Sequence, residues 1–479
     1  MAEHDLASLD GLGQADLVAR GELSAPELVE AAIGRIERIN PQLNAIVIPL
    51  FEQAREWVRS DALGGGPFRG VPLLLKDLGC PVAGLPLYAG TKFLKDRAWV
   101  SRHDSVLGRR LREAGFVIVG KANTPELGLS PTTEPRTFGA TRNPWDPTRI
   151  AGGSSGGSGA AVAAGLVPVA HAGDGGGSIR SPAGICGQVG LKPSRGRNSL
   201  GPSQGEGWGG NVTEHVITRS VRDTAAVLDC VSGPATGDPY FAPPPQRAYL
   251  DEVGRDPGRL RVGSFSSNAH ISAHPESKAA VRGALELLHS LGHEVSEEYP
   301  AALDEPGLGE GGAAVVSACV ARELDSFSEW TGDPLREGDV EPATWAMAER
   351  GRSFSARQYA GALERQQAFG RRLRGWWSEA EGEDGFDVLV TPTAAQPTPE
   401  VGSLQDAPVE RILKLAPYTM LYNISGQPAI SLPLHWTSEG LPMGVQFVAR
   451  YGGEDLLIRL ASQLEQARPW ASRRPPIHA

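Results

Sequence analysis

The residues best suited to chemistry in this 479-residue chain lie in two clusters of glycine and serine. The first is Gly152-Gly153-Ser154-Ser155-Gly156-Gly157-Ser158-Gly159. The second is Gly173-Asp174-Gly175-Gly176-Gly177-Ser178-Ile179-Arg180, and a small-residue apolar run, Ala160 to Ala172, joins them. Glycines this dense allow positive φ and let backbone N–H groups point at a ligand with no side chain in the way. A serine in such a loop is placed for acyl transfer, because nucleophile and oxyanion hole can come from one segment. Ser178 follows Gly175, Gly176 and Gly177, whose N–H groups, with its own, could face a carbonyl oxygen. A pair of flexible linkers is the plainer reading, but the flanks Val167-Pro168-Val169 and Ile185 to Leu191 have the character of core.

Such loops need a rigid frame, and the flanking sequence supplies one. Ser24, Pro26 and Glu27 form a capping-box start, and Leu28, Val29, Ala32, Ile33, Ile36 and Ile39 follow the helical period up to Pro41, which is expected to help end the helix. Residues 14 to 39 thus read as two helices, followed by a strand over Asn44 to Ile48 and a helix from Phe51 to Leu63. Val71 to Leu75 is a continuous apolar run ending in Lys76-Asp77, read as a buried strand that delivers a lysine at its end. A helix over Ser105 to Ala114 and a strand over Phe116 to Val119 follow. Val221 to Val231 has the helical period. Strands are expected at Leu260 to Ser264, Asp387 to Thr391, Ala429 to Leu434 and Gly444 to Ala449, and helices at Lys278 to Leu291, Ala313 to Trp330 and the C-terminal end. This order of elements predicts an α/β fold. The stretch from about 235 to 385, with Trp330, Trp345, Trp376 and Trp377, reads as a variable, substrate-shaping part built around the core.

The chain resembles the amidase signature family of serine hydrolases. The resemblance rests on Gly152 to Ser158 (GGSSGGS), Gly176 to Arg180 (GGSIR) with Pro182-Ala183 after it, Gly190-Leu191-Lys192-Pro193, and Lys76 on its short strand. It resumes at Thr391-Pro392-Thr393 and at Asn423 to Ala429 (NISGQPA). It implies one α/β/α domain around a mixed twisted sheet flanked by helices. It also implies a Ser–cisSer–Lys relay with Ser178 as nucleophile, Ser154 as bridging serine after a cis peptide bond, and Lys76 as base. A cis bond before a non-proline residue is unusual. A normal lysine is protonated at neutral pH, so Lys76 must be buried to work as a base. Gly175, Gly176, Gly177 and Ser178 would hold the oxyanion. Ser155, Asp174 and Arg180 would support the loop through hydrogen bonds, and His171 is read as a core residue. No metal or organic cofactor is implied, and a homodimer is the expectation from relatives.

One departure narrows the resemblance. The common form before the nucleophile is Thr-Asp-x-Gly-Gly-Ser, whereas this chain has Gly173-Asp174-Gly175-Gly176-Gly177-Ser178, with Lys192 to Arg197 (KPSRGR) further on. That variant looks most like the branch containing 6-aminohexanoate cyclic-dimer hydrolases. It implies a linear or cyclic amide with a flexible aliphatic part, and it makes Cys319 a pocket candidate.

Other readings compete. Gly152 to Gly156 also matches G-x-S-x-G, which would make Ser154 the nucleophile and call on a histidine such as His435. Such an elbow needs a strand directly before it, and Asn143 to Pro147 is a poor one. Lys121 is a rival base without matching context. The glutamine-hydrolysing subunit of the tRNA-dependent amidotransferase shares the signature and acts within a complex. Composition sets the remaining bounds. The net charge of −10 carries no block of like charge, which argues against nucleic acid as a partner. Cys80, Cys186, Cys230 and Cys319 are too far apart for a CxxC site and fit a reducing compartment. The acidic start Met1 to Asp5 has no apolar h-region, and no apolar run is long enough for a bilayer, so the expectation is a cytoplasmic protein.

Overall fold

Leu73, Leu74 and Leu75 are all fully buried, yet they belong to two different cores. Leu74 packs with Val119, Ala160 and Ala163, whereas Leu73 and Leu75 pack with Leu111, Phe116 and Val227. Successive strand residues point to opposite faces, so an unbroken apolar run marks a strand covered on both. The computed structural model describes residues 3–305, 312–377, 385–404 and 415–479. Its strands are β1 (Ile46–Pro49), β2 (Pro72–Lys76), β3 (Val117–Ala122), β4 (Arg142–Asn143), β5 (Asp146–Ile150), β6 (Val169–Asp174), β7 (Val189–Lys192), β8 (Thr213–Thr218), β9 (Arg261–Ser264), β10 (Glu294–Val295), β11 (Val388–Pro392), β12 (Ala429–Trp436) and β13 (Pro442–Ala449). Eleven of them form one mixed sheet in the order β1-β3-β2-β6-β8-β7-β12-β13-β11-β9-β10, and β4 and β5 form a separate pair.

Helices cover both faces, giving the α/β/α layering expected. Over the first half of the sheet, Ala25–Leu43 and Gly156–Ala163 supply one face, and Val106–Glu113 and Val221–Val231 the other. In the second half, Val388 and Val390 pack toward Pro275–Ser290 and Glu454–Ala467. Leu389, between them, packs toward Ala356–Arg374. β2 runs parallel to β3 and to β6, so the loops that follow β2 and β6 leave the sheet at the same edge. In open α/β sheets that edge is where ligands bind.

Several boundaries moved. Pro41 does not end its helix but sits inside the last turn, and the helix closes at Asn44, whose φ is 51°. The helix begun at Phe51 stops at Arg59 rather than Leu63. The middle region is more than an addition to the core, because it contributes β9 and β10 to the edge of the main sheet. Among the described residues no helix is long and apolar enough to cross a membrane, and the four cysteines are unpaired.

Candidate active site

Leu74 and Lys76 share a face of β2, and that face is covered by the helix Gly156–Ala163. The residues leading into this helix therefore meet the Lys76 side chain. Lys76 Nζ lies 2.6 Å from Ser154 Oγ, and both side chains are buried. The Gly153–Ser154 peptide bond is cis. Gly153 is required by packing, since a Cβ there would come within 2.6 Å of the Ser130 carbonyl oxygen. Burial pulls the Lys76 ammonium down from 10.5 to about 7, against the opposing pull of the Glu214 and Asp174 carboxylates. At neutral pH the amine is then half unprotonated and can accept the Ser154 hydroxyl proton.

The rival lysine points elsewhere. A register shift between Ile118 and Gly120 sets Lys121 opposite Leu75, on the far face of the sheet. There it lies beside Asp77, Cys80 and Glu214. His171 is fully buried. Its Nδ1 accepts the Lys76 backbone N–H at 3.3 Å, and its Nε2 is 3.7 Å from Glu214. Burial lowers its pKa, so it sits under Lys76 as a neutral ring. The elbow reading fails on geometry. A strand does precede Ser154, since β5 forms where the sequence predicted none, but it pairs with β4, bridges to Glu400 and lies outside the main sheet. His435 bonds to Glu276 at 3.0 Å, whereas Ser154 bonds to Lys76.

Ser178 stands in the loop after β6, half-buried. It does not cap the following helix, whose N-cap position is Ile179, without a side-chain bond. The two glycine clusters touch. Ser155 Oγ donates to the Gly173 carbonyl at 3.3 Å, and Gly152 packs on Pro182. Asp174 shapes the loop by accepting the N–H groups of Gly177 at 2.7 Å and Ile179 at 3.1 Å. This narrows one expectation: the Gly177 amide is committed to Asp174, so of the four candidate oxyanion donors the amides of Gly175, Gly176 and Ser178 are the ones not engaged by that carboxylate. Gly177 is needed for another reason. Its φ is 134°, and a Cβ there would lie 2.3 Å from Thr419 Oγ1, whose hydroxyl donates to the Gly176 carbonyl at 2.6 Å. Gly177→Ala is expected to cost about 1–3 kcal/mol in strain and to displace the loop, seen as a fall of at least tenfold in amide turnover.

Arg180 anchors the loop from below with all five of its donors. Nε and Nη2 grip Asp174 at 2.9 Å each, Nη1 reaches the Thr419 carbonyl at 2.9 Å and Gln446 Oε1 at 2.7 Å, and Nη2 reaches Asn423 Oδ1 at 2.7 Å. Asn423 Nδ2 returns bonds to the Asp174 carbonyl and carboxylate, both at 2.9 Å. Burial alone would push the Asp174 carboxyl up, but the Arg180 charge beside it holds it well below the usual carboxylate range. Lys192, on β7, is buried close to Arg180. Burial and that charge bring it down to about 7, and it donates to the Pro193 carbonyl at 2.9 Å. The sequence motif NISGQPA contains Asn423, but its link to Asp174 was not readable from spacing, and Thr419 and Gln446 gave no signal.

Cys319 lies on the helix Gly312–Thr331. Burial pushes its thiol up, and it stands within reach of the Tyr359 hydroxyl and the Trp208 backbone amide. Trp208 in turn packs its ring against Gly175, where a Cβ would come within 2.9 Å of it. Cys319 is thus connected to the nucleophile loop through a single tryptophan.

Comparison with known proteins agrees with this geometry. The amidase family model matches residues 27–458. The 6-aminohexanoate-cyclic-dimer hydrolase of Paenarthrobacter ureafaciens is 44% identical over 98% of this chain and 96% of that protein. A solved structure of 6-aminohexanoate cyclic dimer hydrolase complexed with substrate superposes with a TM-score of 0.94 at 43% identity, over 99% of this chain and 100% of that one. A glutamyl-tRNA(Gln) amidotransferase structure from Thermotoga maritima is a more distant likeness, at 25% identity and a TM-score of 0.77 over 99% of each chain. The chain belongs to the amidase signature family and is a hydrolase of carboxylic amide bonds.

Proposed function

We propose that this amidase cleaves amides of flexible aliphatic amino acids, of the 6-aminohexanoate cyclic-dimer type, through an acyl-enzyme on Ser178. The observation that carries the mechanism is the 2.6 Å contact between Lys76 Nζ and Ser154 Oγ, made by a lysine brought down to about 7 by burial. Neutral Lys76 accepts the Ser154 proton as Ser154 accepts that of Ser178. Ser178 Oγ attacks the amide carbon, and the amides of Gly175, Gly176 and Ser178 receive the oxyanion. The proton returns along the relay to the leaving nitrogen. Water then enters by the reverse route and releases the acid. The substrate class is supported by the likeness to cyclic-dimer hydrolases over nearly the whole chain. The half-buried wall around Trp208 and Cys319, which the middle region helps to build, fits an aliphatic acyl chain, with Cys319 as a substrate contact.

A serine-directed fluorophosphonate tests the relay without knowledge of the substrate. A single adduct on Ser178, mapped by mass spectrometry and slowed at least a hundredfold in Lys76→Ala and Ser154→Ala, is the expected result. An adduct on Ser154 would overturn the assignment. Absence of any adduct would favour a site completed by a partner protein, the reading to which the amidotransferase likeness gives weaker support.

A further inference from the structure

β2 pairs with β6 through Leu73 and Leu74, opposite Val169 and Ala170. Two residues on, the bond toward β6 changes kind. The Lys76 N–H is taken at 3.3 Å by Nδ1 of the His171 ring, a side chain of β6. A neutral imidazole carries one proton, so an accepting Nδ1 places it on Nε2. That nitrogen faces Glu214 Oε2 at 3.7 Å, and both side chains are buried. The main chain of His171 makes a second link. Its carbonyl accepts the Ser158 hydroxyl at 2.7 Å, from the helix that Ser154 leads into. One residue thus braces the strand that carries Lys76 against the helix that follows Ser154.

Glu214 reaches this point through strand pairing. β8 runs antiparallel to β6, with Glu214 opposite Gly173 and Val216 opposite His171. Alternation puts Glu214, Val216, His171 and Val169 on one face of the sheet, where Val169 and Val216 join the core of Leu73 and Leu75. Lys76 shares the other face with Leu74. The loop after Lys76 makes room for the Glu214 carboxylate. Gly79 has a φ of 72°, and a Cβ there would lie 1.9 Å from Glu214 Oε1.

Two carboxylates act on the Lys76 ammonium, and they differ in what holds them. Asp174 is gripped by Nε and Nη2 of Arg180. Glu214 faces a ring that burial keeps neutral, and it exerts the larger pull on Lys76. Lys121 and Cys80 lie on the Glu214 side and share its field, with Asp77 beside Lys121.

We propose that Glu214 and His171 are positioning residues for the base. His171 fixes the end of β2 against the Ser154 helix. Glu214 holds the ring in its Nε2–H form and sets a negative charge behind the Lys76 ammonium. The inference goes beyond the relay and rests on Lys76 as its base.

Fluorophosphonate labelling of Ser178 between about pH 5 and pH 9 is the test. In the wild type the rate should rise through about pH 7, as Lys76 loses its proton. Glutamine has the size of glutamate, and its carbonyl can still face Nε2–H, so Glu214→Gln removes the charge alone. Without that charge the ammonium is less favoured, and the rise should move to lower pH by at least about 0.5 unit. Glu214→Asp keeps a charge and should return the rise toward its wild-type position. A purely structural role would lower the rate at every pH and leave the rise where it is, so an unmoved rise in Glu214→Gln would overturn the proposal. His171→Leu leaves the buried Lys76 N–H without an acceptor and should slow labelling at least tenfold at every pH. His171→Asn, whose Oδ1 can accept that N–H, should regain part of the rate, and a wild-type rate in His171→Leu would overturn the brace. Nitrogen-15 shifts of the His171 ring provide a readout that needs no chemistry. A neutral ring protonated at Nε2 is expected at neutral pH, and the opposite tautomer or a charged ring would overturn the proposal. If wild-type labelling is flat with pH and Lys76→Ala labels normally, the relay reading falls and takes the proposal with it. A wild-type rise that Glu214→Gln leaves in place removes the proposal alone.

Discussion

Lys76→Met is expected to lower kcat/KM for amide hydrolysis by about 10³–10⁴ and, in the same protein, to raise the melting temperature at pH 7. The first effect follows from the loss of the amine placed against Ser154, whose hydroxyl is 2.6 Å away. The pKa makes that base effective. With an ordinary value near 10.5, roughly one lysine in a few thousand would be neutral at pH 7, whereas at about 7 half of them are. Burial of Lys76 thus supplies about three orders of magnitude in competent enzyme before any chemistry begins.

The second effect is the other side of the same burial. An unfolded chain protonates Lys76 freely at pH 7, and the folded chain does so with difficulty. The folded pKa is depressed, so the penalty to folding is largest below about pH 7 and fades as pH rises toward 10.5. At neutral pH it amounts to about 4 kcal/mol. Methionine has a similar length and no charge to desolvate, so it removes that penalty. Wild-type stability should therefore climb between pH 7 and 10.5 more steeply than that of Lys76→Met. Lys192, also held near 7, contributes its own slope to both proteins, and the difference between them isolates Lys76. Amide turnover in the wild type should rise through about pH 7 and then level off. A variant that loses activity and also loses stability would show that Lys76 is structural.

Much of this arrangement is readable in the chain itself. The unbroken run Val71 to Leu75 marks a strand covered on both faces, and its last residue has to emerge at the sheet edge. The Ser24 to Glu27 capping box fixes one helix start to within a residue, because its bonds are local. Long-range pairing is harder to read. That β2 and β6 are neighbours, that a register shift turns Lys121 away from Lys76, and that β9 and β10 complete the sheet all depend on contacts between distant segments. The site divides in the same way. Glycines, serines and a strand-end lysine advertise themselves by type and spacing, whereas Asn423, Gln446 and Thr419 are ordinary residues made important by where the chain brings them. The Gly177 amide is an instructive case. By spacing it is one more oxyanion donor in a row of glycines, and only the position of the Asp174 carboxylate reveals that it is already engaged.

The support beneath the nucleophile loop should be the most fragile part of the molecule. Arg180→Met is expected to destabilise folding by about 3–5 kcal/mol and to slow fluorophosphonate labelling of Ser178 by at least a hundredfold. Arg180 is fully buried, and each of its donors has a partner. Removing it leaves the buried Asp174 carboxylate without its bidentate counter-charge and with the more distant Lys192 ammonium still acting on it, and Gln446, Asn423 and the Thr419 carbonyl each lose a donor. Among the described residues, the hydrogen bonds left on the Asp174 carboxylate would then be those from Asn423 and the amides of Gly177 and Ile179. Its pKa would rise, and at low pH it would protonate and release the amide that sets the loop. The variant should accordingly lose labelling more steeply than the wild type as pH falls, because the wild-type carboxyl stays ionised far below neutrality. Arg180→Lys is the informative companion. A lysine restores the charge but has three donors in place of a planar fork of five, so it should recover part of the stability and little of the labelling rate. Equal recovery of both would mean that charge alone holds the loop. Recovery of neither would mean that the geometry of the fork is required for folding as well as for placing Ser178. Urea unfolding and labelling kinetics on the same three proteins decide between these outcomes.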